Sequence, residues 1–130
     1  MLNEIFLPLA EEFAPEIILM IDGADPHYSD SITRMGLTLN GIWRIGDLIG
    51  RTADKVCNGK IVDFIGSGYN PNPDVISLGW LASEAGVIGV SPDFIKLQAE
   101  SDKYSGDQGM DEAKKVVDQI KKQLSGDWKF

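Results

Sequence analysis

Two short segments hold most of the side chains in this sequence that are capable of chemistry. The first is Asp22-Gly23-Ala24-Asp25-Pro26-His27-Tyr28-Ser29-Asp30, and the second is Gly66-Ser67-Gly68-Tyr69-Asn70-Pro71. Each directly follows a short apolar run. A carboxylate such as Asp25 at the end of a buried strand can bind a metal ion or act as a base. A phenol such as Tyr69 at a neighbouring strand end can donate a hydrogen bond to an oxygen that gains charge during acyl transfer. Glycines beside it let the backbone approach a ligand closely. Plainer readings stand next to these. A loop aspartate commonly caps a turn, a tyrosine commonly packs with its hydroxyl in water, and a loop histidine such as His27 is commonly just hydrogen-bonded. Gly-Ser-Gly signals little beyond a tight turn, and Cys57, in a helix-to-strand connection, reads as inert.

The elements that must hold these segments follow from periodicity. Ile5, Phe6, Leu9 and Phe13 recur at helical spacing over residues 3–13, with Asn3 as N-cap and Pro15 as terminator. Residues 16–22 form a continuous apolar run, the pattern of a strand covered on both faces in a parallel sheet. A helix is expected from Thr38 to about Asp54. After the Asn58-Gly59 turn signal, residues 60–65 read as a second strand. Pro73-Asp74 opens a helix ending near Gly86 or Gly89, residues 91–108 read as irregular, and an amphipathic helix spans 110–124 with Ala113, Val116, Val117, Ile120 and Leu124 on one stripe. Alternation of this kind predicts α/β with a parallel sheet, whose ligand edge is the C-terminal end of the strands. Two strands are few for such a layer, so the pattern predicts that the sheet is completed from elsewhere.

Composition narrows the classes. The chain has 130 residues, 43% hydrophobic and 25% charged, as in globular proteins. A net charge of -8 argues against direct nucleic-acid binding, which needs clustered Lys and Arg. One Cys and one His rule out an internal disulfide and disfavour a self-contained structural zinc site. Without a span-length apolar run or a secretory-type N-terminus, the expectation is a cytoplasmic chain with no membrane partner.

Taken together and in order, the motifs resemble those of the histone deacetylase, acetoin-utilisation protein and acetylpolyamine amidohydrolase superfamily. They are Phe6-Leu7-Pro8-Leu9-Ala10, Phe13-Ala14-Pro15, Gly23-Ala24-Asp25, Asp30, Leu37-Thr38-Leu39-Asn40-Gly41 and Gly68-Tyr69-Asn70. The resemblance covers most of residues 3–90 and, more weakly, the tail around Trp128. It implies the C-terminal part of an arginase/deacetylase-like three-layer fold, with residues 1–130 one fragment of that domain and 109–130 its closing helix and tail. It implies zinc as cofactor of the complete site, with Asp25 as one metal ligand and Tyr69 as the group bonding the substrate carbonyl. Ile32, Ser67 and Gly68 would line the substrate channel, and His27 and Asp30 would support the ligand from behind. The substrate would be acetyl-lysine or a small acetylated amine. The family's paired histidines and its other zinc ligands lie upstream of the matching residues, so the isolated chain is expected to be inactive. Ser31 and Ser67 stand where the family usually has proline and glycine. The alternative is a non-catalytic module that completes its sheet with an N-terminal catalytic portion or with a second copy. A third is a degenerate relative that binds acetylated ligands without turnover.

Overall fold

In the computed structural model, which describes residues 1–33, 35–93 and 109–130, the two apolar runs are adjacent strands of one parallel sheet. β1 is Ile18–Gly23 and β2 is Ile61–Ser67. Ile18 pairs with Ile61, Leu19 with Val62, Met20 with Asp63, Ile21 with Phe64 and Asp22 with Ile65. The next pair is Gly23 with Ser67. Gly66 is therefore an extra residue on β2, a bulge that shifts the phase of the strand end. The fold expectation of α/β with a parallel pair holds. Both strands run longer at their C-terminal ends than the periodicity indicated, and Gly66 and Ser67 belong to β2.

A π-helical turn over Leu2–Phe6 runs directly into α1, Leu7–Phe13. Asn3 is inside this turn and caps nothing. Ala14 ends α1 in the left-handed conformation at φ 50°, just before Pro15. α2 is Leu39–Cys57; the Thr38 hydroxyl accepts the Gly41 N–H at 3.1 Å, and Asn58 ends the helix at φ 54°. α3 is Pro73–Val87, capped by Asn72, whose side-chain oxygen accepts the Asp74 N–H at 3.0 Å. α4, Met110–Leu124, has the expected bounds. Of its apolar stripe only Val117 is buried. The expected irregular stretch 91–108 lies outside the described residues beyond Asp93. No helix among those described is long and apolar enough to cross a membrane.

α2 and α3 make the most extensive contact in the fold. The contact is backbone against backbone. A Cβ at Gly46 would strike the Ser83 carbonyl, one at Gly50 the Val87 carbonyl, and one at Gly86 the Trp43 carbonyl. The small core of Leu39, Ile42 and Ala82 sits beside this seam, with Leu37 and Trp43 packed on it. Cys57 closes α2 in a buried position, its thiol donating to Ala53 and Lys60 carbonyls at 3.3 Å each.

The strands are not covered on both faces, contrary to the reading of their continuous apolarity. Met20 is buried on the face towards α3, but Leu19, Ile21, Val62 and Phe64 share the opposite face and are exposed, Ile21 to 89%. The described residues bring helices to one side of the sheet only.

Candidate functional site

Parallel strands release their chains at the same end, so the loop after β1 and the loop after β2 leave the sheet together. The join begins in the backbone. The Ala24 N–H donates to the Ser67 carbonyl at 2.7 Å, and the Trp80 indole of α3 donates to the same oxygen at 2.9 Å. A Cβ at Gly23 would strike the Ser67 hydroxyl and would lie 2.6 Å from Asp25 Oδ1. Glycine is thus required there by space. At Gly68, with φ at +154°, a Cβ would meet Ile76 at 2.8 Å, so this position also excludes a side chain.

Asp25 is half-buried, and hydroxyl groups hold both of its carboxylate oxygens. Ser67 Oγ donates to Oδ1 in a short hydrogen bond, and Thr33 Oγ1 donates to Oδ2 at 3.2 Å. Asp30 is buried and acts as the knot of the first loop. Its Oδ1 accepts the N–H groups of Ile32 at 2.8 Å and Thr33 at 2.9 Å, and its Oδ2 accepts the Tyr69 N–H at 2.8 Å. The Thr33 N–H, joined by those of Ile32 and Tyr69, holds the Asp30 carboxyl below the usual carboxylate range. Ser31 Oγ donates to the Tyr69 carbonyl at 2.8 Å. Tyr69 is thereby fixed at both its N–H and its carbonyl, while the residue as a whole is 51% exposed. His27 is buried, with Nδ1 2.8 Å from the Ser29 hydroxyl, and Asn70 Nδ2 donates to that hydroxyl at 2.6 Å and to the Ser29 carbonyl at 2.8 Å. The structure therefore brings Asp25, His27, Asp30, Ser67, Gly68 and Tyr69 into one pair of interlocked loops. Ile32 sits on the same loop but projects to solvent.

A scan against family models matches residues 1–85 to the histone deacetylase domain. The chain belongs to the histone deacetylase domain family. Among curated relatives of this family, acetoin utilization protein AcuC of Staphylococcus aureus is 40% identical over 63 residues, which is 48% of this chain and 16% of the relative. AcuC of Staphylococcus xylosus is also 40% identical over 63 residues, again 48% of this chain and 16% of the relative. Histone deacetylase 14, chloroplastic, of Arabidopsis thaliana is 37% identical over 68 residues, 52% of this chain and 16% of the relative. The matched part of this histone deacetylase family chain thus spans about one sixth of the length of these relatives.

Zinc at a catalytic site takes three protein ligands and an open position. The residues around Asp25 do not meet that need. Its described partners are the hydroxyls of Ser67 and Thr33, and Nδ1 of the chain's one histidine is at Ser29. Among the described residues, the surroundings of Asp25 therefore offer one carboxylate and not a complete set of zinc ligands.

Sequence reasoning missed two features. The first is Thr33, together with the reach of Ser31 and Ser67 across the loops. The second lies under the sheet, where carboxylate oxygens of Asp22, Asp63 and Glu84 gather within 4.8 Å of one another. Burial first, then the hydrogen bond and charge of Asp63, push Glu84 up to about 7, and burial also raises Asp22. A signal existed: Asp63 is a lone acid inside the apolar run Lys60–Ile65, and Asp22 ends the other run.

Proposed function

We propose that this chain is the C-terminal portion of a deacetylase-type amide hydrolase that acts on acetyl-lysine or a related acetylated amine. One observation carries the reading: Asp25 and Tyr69 lie on two loops that leave the same end of adjacent parallel strands and are hydrogen-bonded to each other. In the complete enzyme Tyr69 would donate its phenolic hydrogen to the acetyl carbonyl oxygen as that oxygen becomes an anion, and loss of such a donor typically costs ~100-fold or more in rate. Asp25 would contribute one ligand to a zinc ion whose other ligands lie outside these residues. Gly68 and Ser67, with Ile32 at the rim, would border the acyl channel, and His27 and Asp30 would keep the loop in shape. A cytoplasmic setting belongs to the same proposal, supported by the single cysteine, a buried free thiol hydrogen-bonded to backbone carbonyls.

The chain alone lacks a histidine pair to deprotonate water. With added zinc it should not turn over an acetyl-lysine peptide. A chimera tests the positive half. Replacing the part of the histone deacetylase domain of Arabidopsis histone deacetylase 14 that corresponds to residues 1–85 with this chain's own should retain deacetylation. Tyr69→Phe in that chimera should lose ~100-fold in kcat. A folded but inert chimera, or turnover by the isolated chain, counts against the proposal.

The bare sheet face supports a second reading, an assembly module that completes its sheet with an N-terminal catalytic portion or with another copy. Leu19, Ile21, Val62 and Phe64 are all exposed on that one face, and unpaired apolar strands favour association. A concentration-independent monomer on size-exclusion chromatography contradicts self-association.

A further inference from the structure

Two serines cross between the loops in opposite directions. Ser67, the last residue of β2, donates its hydroxyl to Asp25 Oδ1 on the loop after β1, and Ser31, on that loop, donates its hydroxyl to the Tyr69 carbonyl on the loop after β2 at 2.8 Å. We propose that Ser67 and Ser31 are a reciprocal pair of positioning residues that set Asp25 and Tyr69 relative to one another. The proposal rests on the deacetylase reading for its purpose, though its geometry is independent of that reading.

The surroundings suit the role. Ser67 cannot drift, because its carbonyl accepts both the Ala24 N–H and the Trp80 indole N–H. Its hydroxyl has room to reach Asp25 only because position 23 is glycine. Thr33 holds the other carboxylate oxygen at 3.2 Å, so the carboxylate is restrained at both ends. Each carboxylate oxygen has two lone-pair sites, and one hydroxyl bond apiece leaves capacity for a further ligand. On the partner side, Asp30 holds the Tyr69 N–H and Ser31 holds the Tyr69 carbonyl. Together these fix the peptide planes on either side of the Tyr69 Cα, from which the side chain projects.

The test uses this chain and needs no turnover. Three-bond NMR couplings about the Asp25 Cα–Cβ bond report its rotamer, and amide exchange reports the Tyr69 N–H. In the unmodified chain Asp25 should hold one rotamer. Ser67→Ala should let it average, and Ser67→Thr, which keeps the hydroxyl, should restore the single rotamer. Ser31→Ala should speed Tyr69 amide exchange about 5-fold, the factor expected for one net hydrogen bond. Rotamer averaging in the unmodified chain, or no response to either alanine, overturns the proposal. These readouts decide the matter even if the chimera proves inert. In an active chimera the same alanines should lower kcat about 5-fold each with KM within twofold, whereas a change confined to KM overturns the positioning role.

Discussion

Glu84 offers the sharpest test of the packing under the sheet. Burial and the neighbouring Asp63 carboxylate disfavour its charge and push it up to about 7, from the 4.5 that is ordinary for a glutamate in an unfolded chain. The folded form therefore holds a proton that the unfolded form has released between those two values. Stability from this group is complete below the unfolded value and is lost as pH rises through the folded one. Each pH unit of that interval corresponds to about 1.4 kcal/mol for a fully buried group, so the ceiling is roughly 3 kcal/mol. Glu84 is only part-buried, and solvent screening brings the expected loss to about 1–2 kcal/mol. The raised Asp22 adds to it in the same direction. Glu84→Gln keeps the shape, can donate to Asp63 and cannot ionise. It should match the unmodified chain at pH 5 and exceed it by about 1–2 kcal/mol at pH 8. Urea unfolding followed by the fluorescence of Trp43 and Trp80 measures both. An unmodified chain whose stability is flat or rising between pH 5 and pH 8 would refute the retention of a proton by Glu84 in the folded state.

Gly86→Ala forces a methyl group onto the Trp43 carbonyl and to 2.7 Å from the Asp47 nitrogen; it should cost about 2 kcal/mol in urea unfolding, and an unchanged midpoint contradicts the backbone-to-backbone seam. Met20→Ala, on the covered face, should destabilise by about 2–3 kcal/mol, while Ile21→Lys, on the bare face, should stay within about 0.5 kcal/mol and reduce any self-association seen by light scattering. Asp30→Asn removes the charged acceptor shared by Ile32, Thr33 and Tyr69. Tyr69 amide exchange should quicken in this variant. In the unmodified chain the protection of this amide, its exchange rate relative to the unfolded chain at the same pH, should fall as pH falls through the lowered Asp30 value, since a depressed carboxyl stabilises only while ionised.

Local chemistry made much of this legible in advance. The apolar pattern from Thr38, the Pro73-Asp74 start and the stripe of α4 are short-range signals, and they locate three helices to within a few residues. The parallel pair followed from two apolar runs separated by a helix. Register was not legible, because pairing Gly23 with Ser67 depends on contacts some forty residues apart. Without register, Ser67 had no visible claim on Asp25, nor Ser31 on Tyr69. The continuous apolarity of β1 predicts two covered faces. Apolarity records what a strand is suited to meet, and the residues described here meet it on one side alone. The acid pair Asp63 and Glu84 escaped because one lies in a strand and the other in a helix, and only the fold brings them together.

The single unpaired glycine in β2 carries a consequence for tinkering with this chain. Side chains along a strand alternate, so Gly66 acts as a spacer of half a pleat. Excising it would leave every functional side chain in the sequence yet rotate the serine hydroxyl away from the aspartate it serves. Length at position 66, more than identity, is what keeps the two loops in conversation, and a one-residue deletion there should be less tolerated than most single substitutions in either loop.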